Sequence, residues 1–242
     1  FNTDTAHLEY YRGDTIGWQE IEASNVEFSQ GVIPSNPPST ATVSNGGLGH
    51  RGFAAGGHSG PSGPGYNATI DFYTIPTLGD AQDFGDLSQS RGNGVAGFAS
   101  RVRGFAAGGI PSQVTIDFVI MSQTGTATDF GDLTEKREGP MGLSSSTRGI
   151  VAGGYSRPSF VRQQIDYVTM ASAGDAKDFG DMMVNTEYGS ASASTTRGLL
   201  IAGQAPGILN QIEFITIATQ GNALDFGDLS QAHGYTASSA SN

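Results

Sequence analysis

The chain contains no cysteine, a single tryptophan and few charges, and no apolar run long enough to span a membrane. Without cysteine there are no disulfide staples, which suits a protein folded in a reducing cytosol that works outside the cell without them. Charged residues make up 14% of the chain, against roughly 25% in an ordinary soluble domain. Basic residues are the scarcer kind, 12 against 23 acidic ones, for a formal net charge of −11. Binding nucleic-acid phosphates needs a basic patch, so that class of partner is excluded. No window keeps a 3.6-residue apolar period, and none reaches the roughly 18 apolar residues of a spanning helix. Helical bundles and membrane insertion are therefore excluded too. The opening Phe1-Asn2-Thr3-Asp4-Thr5 is polar and lacks the charged start of a signal peptide. It also lacks methionine, as a fragment, a processed product or a sequence read from the specimen would.

What is plentiful is glycine, 36 of 242 residues, about twice the usual share. Glycine at that density breaks helices and supplies turns, which predicts an all-β chain of many short strands. The glycines fall in a repeat. The tetrapeptide Asp-Phe-Gly-Asp stands at 83–86, 129–132, 178–181 and 225–228, with spacings of 46, 49 and 47 residues. An Ile-acid-aromatic triplet lies 13 residues before each copy, at Ile70, Ile116, Ile165 and Ile212. Earlier still come an Arg-Gly pair leading into small apolar residues and glycine, and before it a Ser/Ala/Gly segment. The last Arg-Gly segment, 197–204, is one residue longer and has lost its second glycine, which predicts a bulge.

Each unit of roughly 47 residues thus reads as four short strands, the size of a propeller blade. The first strand lacks bulky side chains, as strands do where backbones crowd near a propeller axis. The third alternates, as a half-buried strand does. The units are 41–88, 89–134, 135–183 and 184–229, with a partial fifth at 230–242. Residues 1–40 form an N-terminal hairpin and a Pro-containing linker. The expected fold is an all-β propeller of four-stranded blades. About five blades fit the length, the hairpin and 235–242 together completing the fifth. An open stack of β units in a fibre is the structural alternative.

Two resemblances follow from these motifs. The Gly-Gly pairs at 56–57, 108–109 and 153–154 are similar to those of kelch-type propeller repeats, without their downstream Tyr and Trp. The whole unit, Arg-Gly, Gly-Gly, Ile-Asp-Tyr and Asp-Phe-Gly-Asp-Leu, more closely resembles repeats in predicted tail-fibre and structural proteins of marine bacteriophages, over residues 41–242. The opening, with Leu8-Glu9-Tyr10-Tyr11 and Trp18, looks like a hairpin module of phage tail and fibre proteins. The resemblance implies a virion component, made in the host bacterial cytoplasm and carried outside.

The letters Asp-Phe-Gly-Asp match a kinase magnesium motif, but no nucleotide lysine or catalytic loop accompanies them, and such a motif does not recur in every unit. Calcium would need six to eight oxygens, and each unit offers only two carboxylates. No metal and no cofactor is expected. The structural alternative has one Asp capping a turn and the Phe filling the space between units, while the other Asp pairs with the repeated Arg of a neighbouring unit. That staple would comprise Arg51, Arg103, Arg148 and Arg197 with Asp83, Asp86, Asp129, Asp132, Asp178, Asp181, Asp225 and Asp228. The four arginines could instead form an anion-binding ring, which a pairing in each unit explains more simply.

No catalytic residue emerges. His7, His50, His58 and His233 occupy unrelated repeat positions, and no Gly-x-Ser-x-Gly elbow is present. The loop between the second and third strands differs in each unit, which is where binding differences belong. Tyr66, Tyr155, Arg157, Phe160 and Arg162 are the candidate ligand contacts, because aromatics stack on sugar faces and arginine donates to hydroxyls or acidic groups. The expected function is a non-enzymatic virion protein, on a tail fibre or surface appendage, that binds a host-surface glycan or receptor and other virion proteins. A homo-oligomer is a further option. The alternatives are a decoration or scaffold protein with virion partners alone, and a bacterial lectin-like propeller.

Overall fold

A computed structural model describes residues 9–11, 18–20, 51–58, 65–92, 94–156 and 160–240. The chain divides into two compact units, Phe1–Val43 and Ser44–Asn242. In the first, β1 (Glu9–Tyr11) pairs antiparallel with β2 (Trp18–Glu20). The rest of the expected hairpin and linker, and the segment 42–49, lie outside the described residues.

The second unit is all-β, and no helix occurs among the described residues. It holds one antiparallel sheet per repeat. The first sheet is β3 (Arg51–Ala55), β4 (Asn67–Thr74) and β5 (Gln82–Arg91). The second is β6 (Ala96–Ala99), β7 (Arg103–Ala107), β8 (Gln113–Ile120) and β9 (Thr128–Arg137). In the third, β10 (Met141–Ser144) and β11 (Arg148–Ala152) precede a small hairpin, β12 (Tyr155–Ser156) and β13 (Phe160–Val161). Its sheet is completed by β14 (Gln164–Thr169) and β15 (Lys177–Asp181). The fourth is β16 (Ser190–Ala193), β17 (Arg197–Gln204), β18 (Ile208–Thr216) and β19 (Leu224–His233). The predicted bulge is present in β17, where the register shifts between Ile201 and Gly203 and Ala202 takes φ 50°.

The expected unit ends at 88, 134 and 229 need correction, while the one at 183 encloses β15. β5 and β9 run on to Arg91 and Arg137, because the start of the third strand pairs with them there, Asn67 opposite Arg91 and Gln113 opposite Arg137. β15 stops at Asp181, and β19 reaches His233.

Each Asp-Phe-Gly-Asp stretch contains a bulge. Ile70 faces Gly85 while Asp71 faces Asp83, so Phe84 is the extra residue. Phe84 and Leu87 are three apart, which on a regular strand would put them on opposite faces. The bulge turns both inward, and both are buried. The first carboxylate caps the turn: Asp83, Asp129 and Asp225 Oδ1 accept from the N–H of Gly85, Gly131 and Gly227. All three have φ near 140°, and Gly85 and Gly131 also lie against the next unit. A Cβ on Gly85 or Gly131 would stand 2.4 or 2.6 Å from the main chain of Gly125 or Gly174.

Neighbouring units meet at three junctions, and the main chain makes the same bonds at each. Gly125 and Ala127 N–H donate to Phe84 and Asp86 O, both at 2.7 Å. Gly174 and Ala176 donate to Phe130 and Asp132, and Gly221 and Ala223 to Phe179 and Asp181. A second seam runs through one residue per unit. Gly139 N–H donates to Gly94 O, Tyr188 to Gly139, and Tyr235 to Tyr188, at 2.9–3.1 Å, all four residues having positive φ. Between the seams lies an apolar core. At the middle junction Phe130 and Leu133 pack with Val151, Val168, Met170 and Ala176 of the next unit. Equivalent clusters fill the other two.

The expected Arg–Asp staple is corrected in its members. Arg51, Arg103, Arg148 and Arg197 each lie over an aromatic ring of their own sheet, Phe72, Phe118, Tyr167 and Phe214, at 4.5–4.8 Å from the centroid. The first three donate to a carbonyl of the following unit, Met121, Met170 and Ile217 O. Among the described residues the buried ion pairs are Arg91–Asp117 at 2.6 Å and Arg137–Asp166 at 2.7 Å, both partners within 1% of full burial. They join the end of one fourth strand to the Ile-Asp-aromatic triplet of the next unit. Burial lowers the pKa of both guanidiniums, and the facing carboxylates oppose the shift. At the third junction Thr186 takes the arginine position and Glu213 the aspartate position. The longer Glu213 accepts from Met183 and Val184 N–H instead, and burial raises its pKa.

Candidate functional site

Depth and side-chain variety coincide beside the third unit. Its loop between second and third strands folds into the β12–β13 hairpin, Tyr155 opposite Val161 and Ser156 opposite Phe160. The hairpin is pinned at its base. Arg162 N–H donates to Gly154 O, its carbonyl accepts from Thr186 N–H, and Gln163 O accepts from Met182 N–H, at 2.7–3.1 Å. Below Tyr155 sits the buried Glu138, whose Oε1 accepts from Ser112 Oγ at 2.6 Å.

Two adjoining depressions share Val161, Gln163 and Asn185. One, about 440 Å³, is polar and adds Arg162, Gln164, Asp178 and Asp181. The other, about 490 Å³, is more apolar and adds Met183, Val184, Ala205 and Pro206 from the third and fourth units. Arg162 Nε lies 3.1 Å from Glu135 Oε2, so its charge is locally balanced. Gln164 Nε2 donates to Thr134 Oγ1 at 2.9 Å, which orients its amide. Carboxylates, amides and a guanidinium beside an apolar flank form a surface on which a ring with many hydroxyls can both hydrogen-bond and lie flat.

Of the candidate contacts, the structure groups Tyr155, Phe160 and Arg162 on one hairpin, while Arg157 lies outside the described residues. Tyr66 belongs to the first unit, where its ring meets His58 edge-on at 5.1 Å and covers Gly92. Asp178 and Asp181, expected in the staple, border the polar depression instead. Sequence reasoning missed Gln163, Gln164 and Asn185, whose one signal is that they flank the most polar of the variable loops.

A third recess, about 340 Å³ and lined by Phe53, Phe98, Phe105 and Val119 among others, lies between the first two sheets. Among the described residues the first sheet has three strands, and the recess borders the edge where the other sheets carry their first strand. Among the described residues no three His, Cys, Asp or Glu side chains come together as a metal site. No protein-family model and no curated protein matches this chain.

Proposed function

We propose that the chain is a non-enzymatic structural protein of a bacteriophage virion, displayed on a tail fibre or surface appendage, that binds a host-surface glycan beside its third unit. One observation carries this reading: the junction bonds repeat from unit to unit, while the loop between second and third strands changes and, at the third unit, borders a polar depression with an apolar flank. The finer architecture proposed is a run of propeller blades. Its support is the four-stranded meander of the second, third and fourth units and the packing of β6 on β10 and β10 on β16, as innermost strands of neighbouring blades pack.

Immunogold electron microscopy on the source sample tests the location. Gold at fibre tips supports receptor binding, gold over the shaft or capsid favours decoration, and gold on cells without particles removes the virion reading. Glycan-array binding tests the site. Asp181→Asn and Arg162→Ala are expected to weaken binding about tenfold or more, the loss of one charged hydrogen bond. A chain that binds no glycan removes that reading.

A further inference from the structure

The register of the third sheet decides what the polar depression offers a ligand. Gln164 pairs with Asp181 and Asp166 with Asp178, the extra residue of the bulge being Phe179. The bulge thus brings Asp178 and Asp181, three apart in sequence, to the face that carries Asp166 and Gln164. Lys177 pairs with Tyr167 and so stands on the opposite face. Neither carboxylate is taken up by the fold. Asp83, Asp129 and Asp225 each cap the turn glycine two residues on, whereas Asp178 makes no such bond. Among the described residues the Asp181 carboxylate likewise meets no donor. Arg162 is the one basic residue among the described residues lining the two depressions, and Glu135 Oε2 faces its Nε at 3.1 Å.

A second constraint reaches the site from the buried ion pair. Thr134 Oγ1 stands 2.8 and 2.9 Å from the two oxygens of Asp166, and a carboxylate paired with Arg137 can only accept. The hydroxyl hydrogen therefore goes to Asp166, and the Thr134 oxygen is left to accept. It does so from Arg137 at 3.3 Å and from the Gln164 amide at 2.9 Å. This turns the Nε2 end of Gln164 toward Thr134 and leaves its Oε1, an acceptor, for a ligand. Asp178, Asp181 and Gln164 thus all present acceptors, and the guanidinium beside them already faces a carboxylate. A glycan bearing carboxylate, sulfate or phosphate would bring anion toward anion here. A sugar bearing a primary ammonium brings three donors on a cation, and its bonds to the carboxylates are of the stronger, charge-assisted kind.

We propose that the depression beside the third unit selects glycans that carry a free amino group. The ammonium is held by Asp178 and Asp181, a hydroxyl of the same ring donates to Gln164 Oε1, and the ring's carbon face lies on the flank of Val161, Val184 and Pro206. N-acetylation removes the cation, and acidic sugars are turned away by the two carboxylates. This rests on the glycan reading of the site and adds the charge of its ligand.

A glycan array probed with the full chain tests it, each amino sugar being present in free-amine and N-acetylated forms beside uronate, sialyl and phosphoryl glycans. Free-amine glycans are expected to bind about tenfold more tightly than their acetylated partners, the worth of a charged hydrogen bond. Asp178→Asn and Asp181→Asn should each lower that preference, and Gln164→Met, close in shape but without the acceptor, should weaken binding several-fold. Asp132→Asn removes the same charge from the second unit and should change nothing. A loss as large in Asp132→Asn as in the site variants means that diffuse charge attracts the amines, and overturns the proposal. Acetylated or acidic glycans that bind as well as the free amines overturn it too and leave the glycan reading standing. An array with no bound glycan removes both. Oligolysine that binds as tightly as the amine glycans overturns the sugar assignment, since the site would then read a basic peptide.

Discussion

The second and fourth sheets carry nearly the same letters and differ in what lies behind them. Phe130 and Phe226 sit at the same place in the same bulge, yet one is 3% and the other 50% exposed. Gly131 and Gly227 share the same backbone conformation, with main chain against the first and empty space beside the second. Arg103 reaches a carbonyl of the next unit, and Arg197 rests on its ring alone. The repeat therefore specifies a conformation that is complete within one unit, and a set of contacts that needs a neighbour. The difference between equivalent positions isolates the neighbour's contribution.

The largest effect should come from the buried charges. Arg137→Thr leaves the buried Asp166 without its cation and is expected to lower stability by about 3–5 kcal/mol, measured by urea denaturation. Adding Asp166→Glu copies the third junction and should recover part of the loss. No recovery would mean that Glu213 depends on surroundings that the second junction lacks.

Truncating the paired phenylalanines comes next. Phe130→Ala should cost about 3–4 kcal/mol and Phe226→Ala less than about 1 kcal/mol. Equal costs would show that the neighbour contributes little. Gly131→Ala and Gly227→Ala both incur the backbone strain of a side chain at positive φ, about 1–2 kcal/mol. The first must also push back main chain, so it should lower the melting temperature clearly further than the second.

Smaller differences remain. Arg148→Ala should cost about 2 kcal/mol, the sum of a charged hydrogen bond and a stacked cation, and Arg197→Ala about half that or less. The smallest concerns pH at the third junction. Because burial raises the folded-state pKa of Glu213, the folded protein holds its proton more tightly than the unfolded chain does. Its contribution is complete below the ordinary carboxylate range and is lost as pH rises through the raised value. The melting temperature of wild type relative to Glu213→Gln should fall over that window, and a flat difference would contradict the shift.

Much of the fold was legible in the sequence because its causes recur in step. Four strands in each of the three later units, the Asp83-type turn cap, the buried Phe84 and the bulge at Ala202 each leave a mark at a fixed offset. The ion pair was misread for the same reason. Arg51 and its counterparts recur four times and invite pairing, whereas the arginines that do pair, Arg91 and Arg137, occur twice and give way to Thr186 and His233. Recurrence marks what each unit needs for itself, and a junction that can be satisfied by Asp with Arg or by Glu with main chain does not recur in letters. The polar depression was only partly visible, since Gln163, Gln164 and Asn185 are brought together by the pairing of β14 with β15 and the turn beyond it.

At each seam the bonds run from backbone to backbone, as from Gly174 N–H to Phe130 O, and ask of the sequence little more than a glycine and small neighbours. A DNA segment encoding one unit can thus be duplicated or deleted in frame, and the units on either side still find the same partners. The number of units and the chemistry of their loops are free to change independently, so recombination can lengthen or shorten the array without disturbing a surface that selection has already shaped.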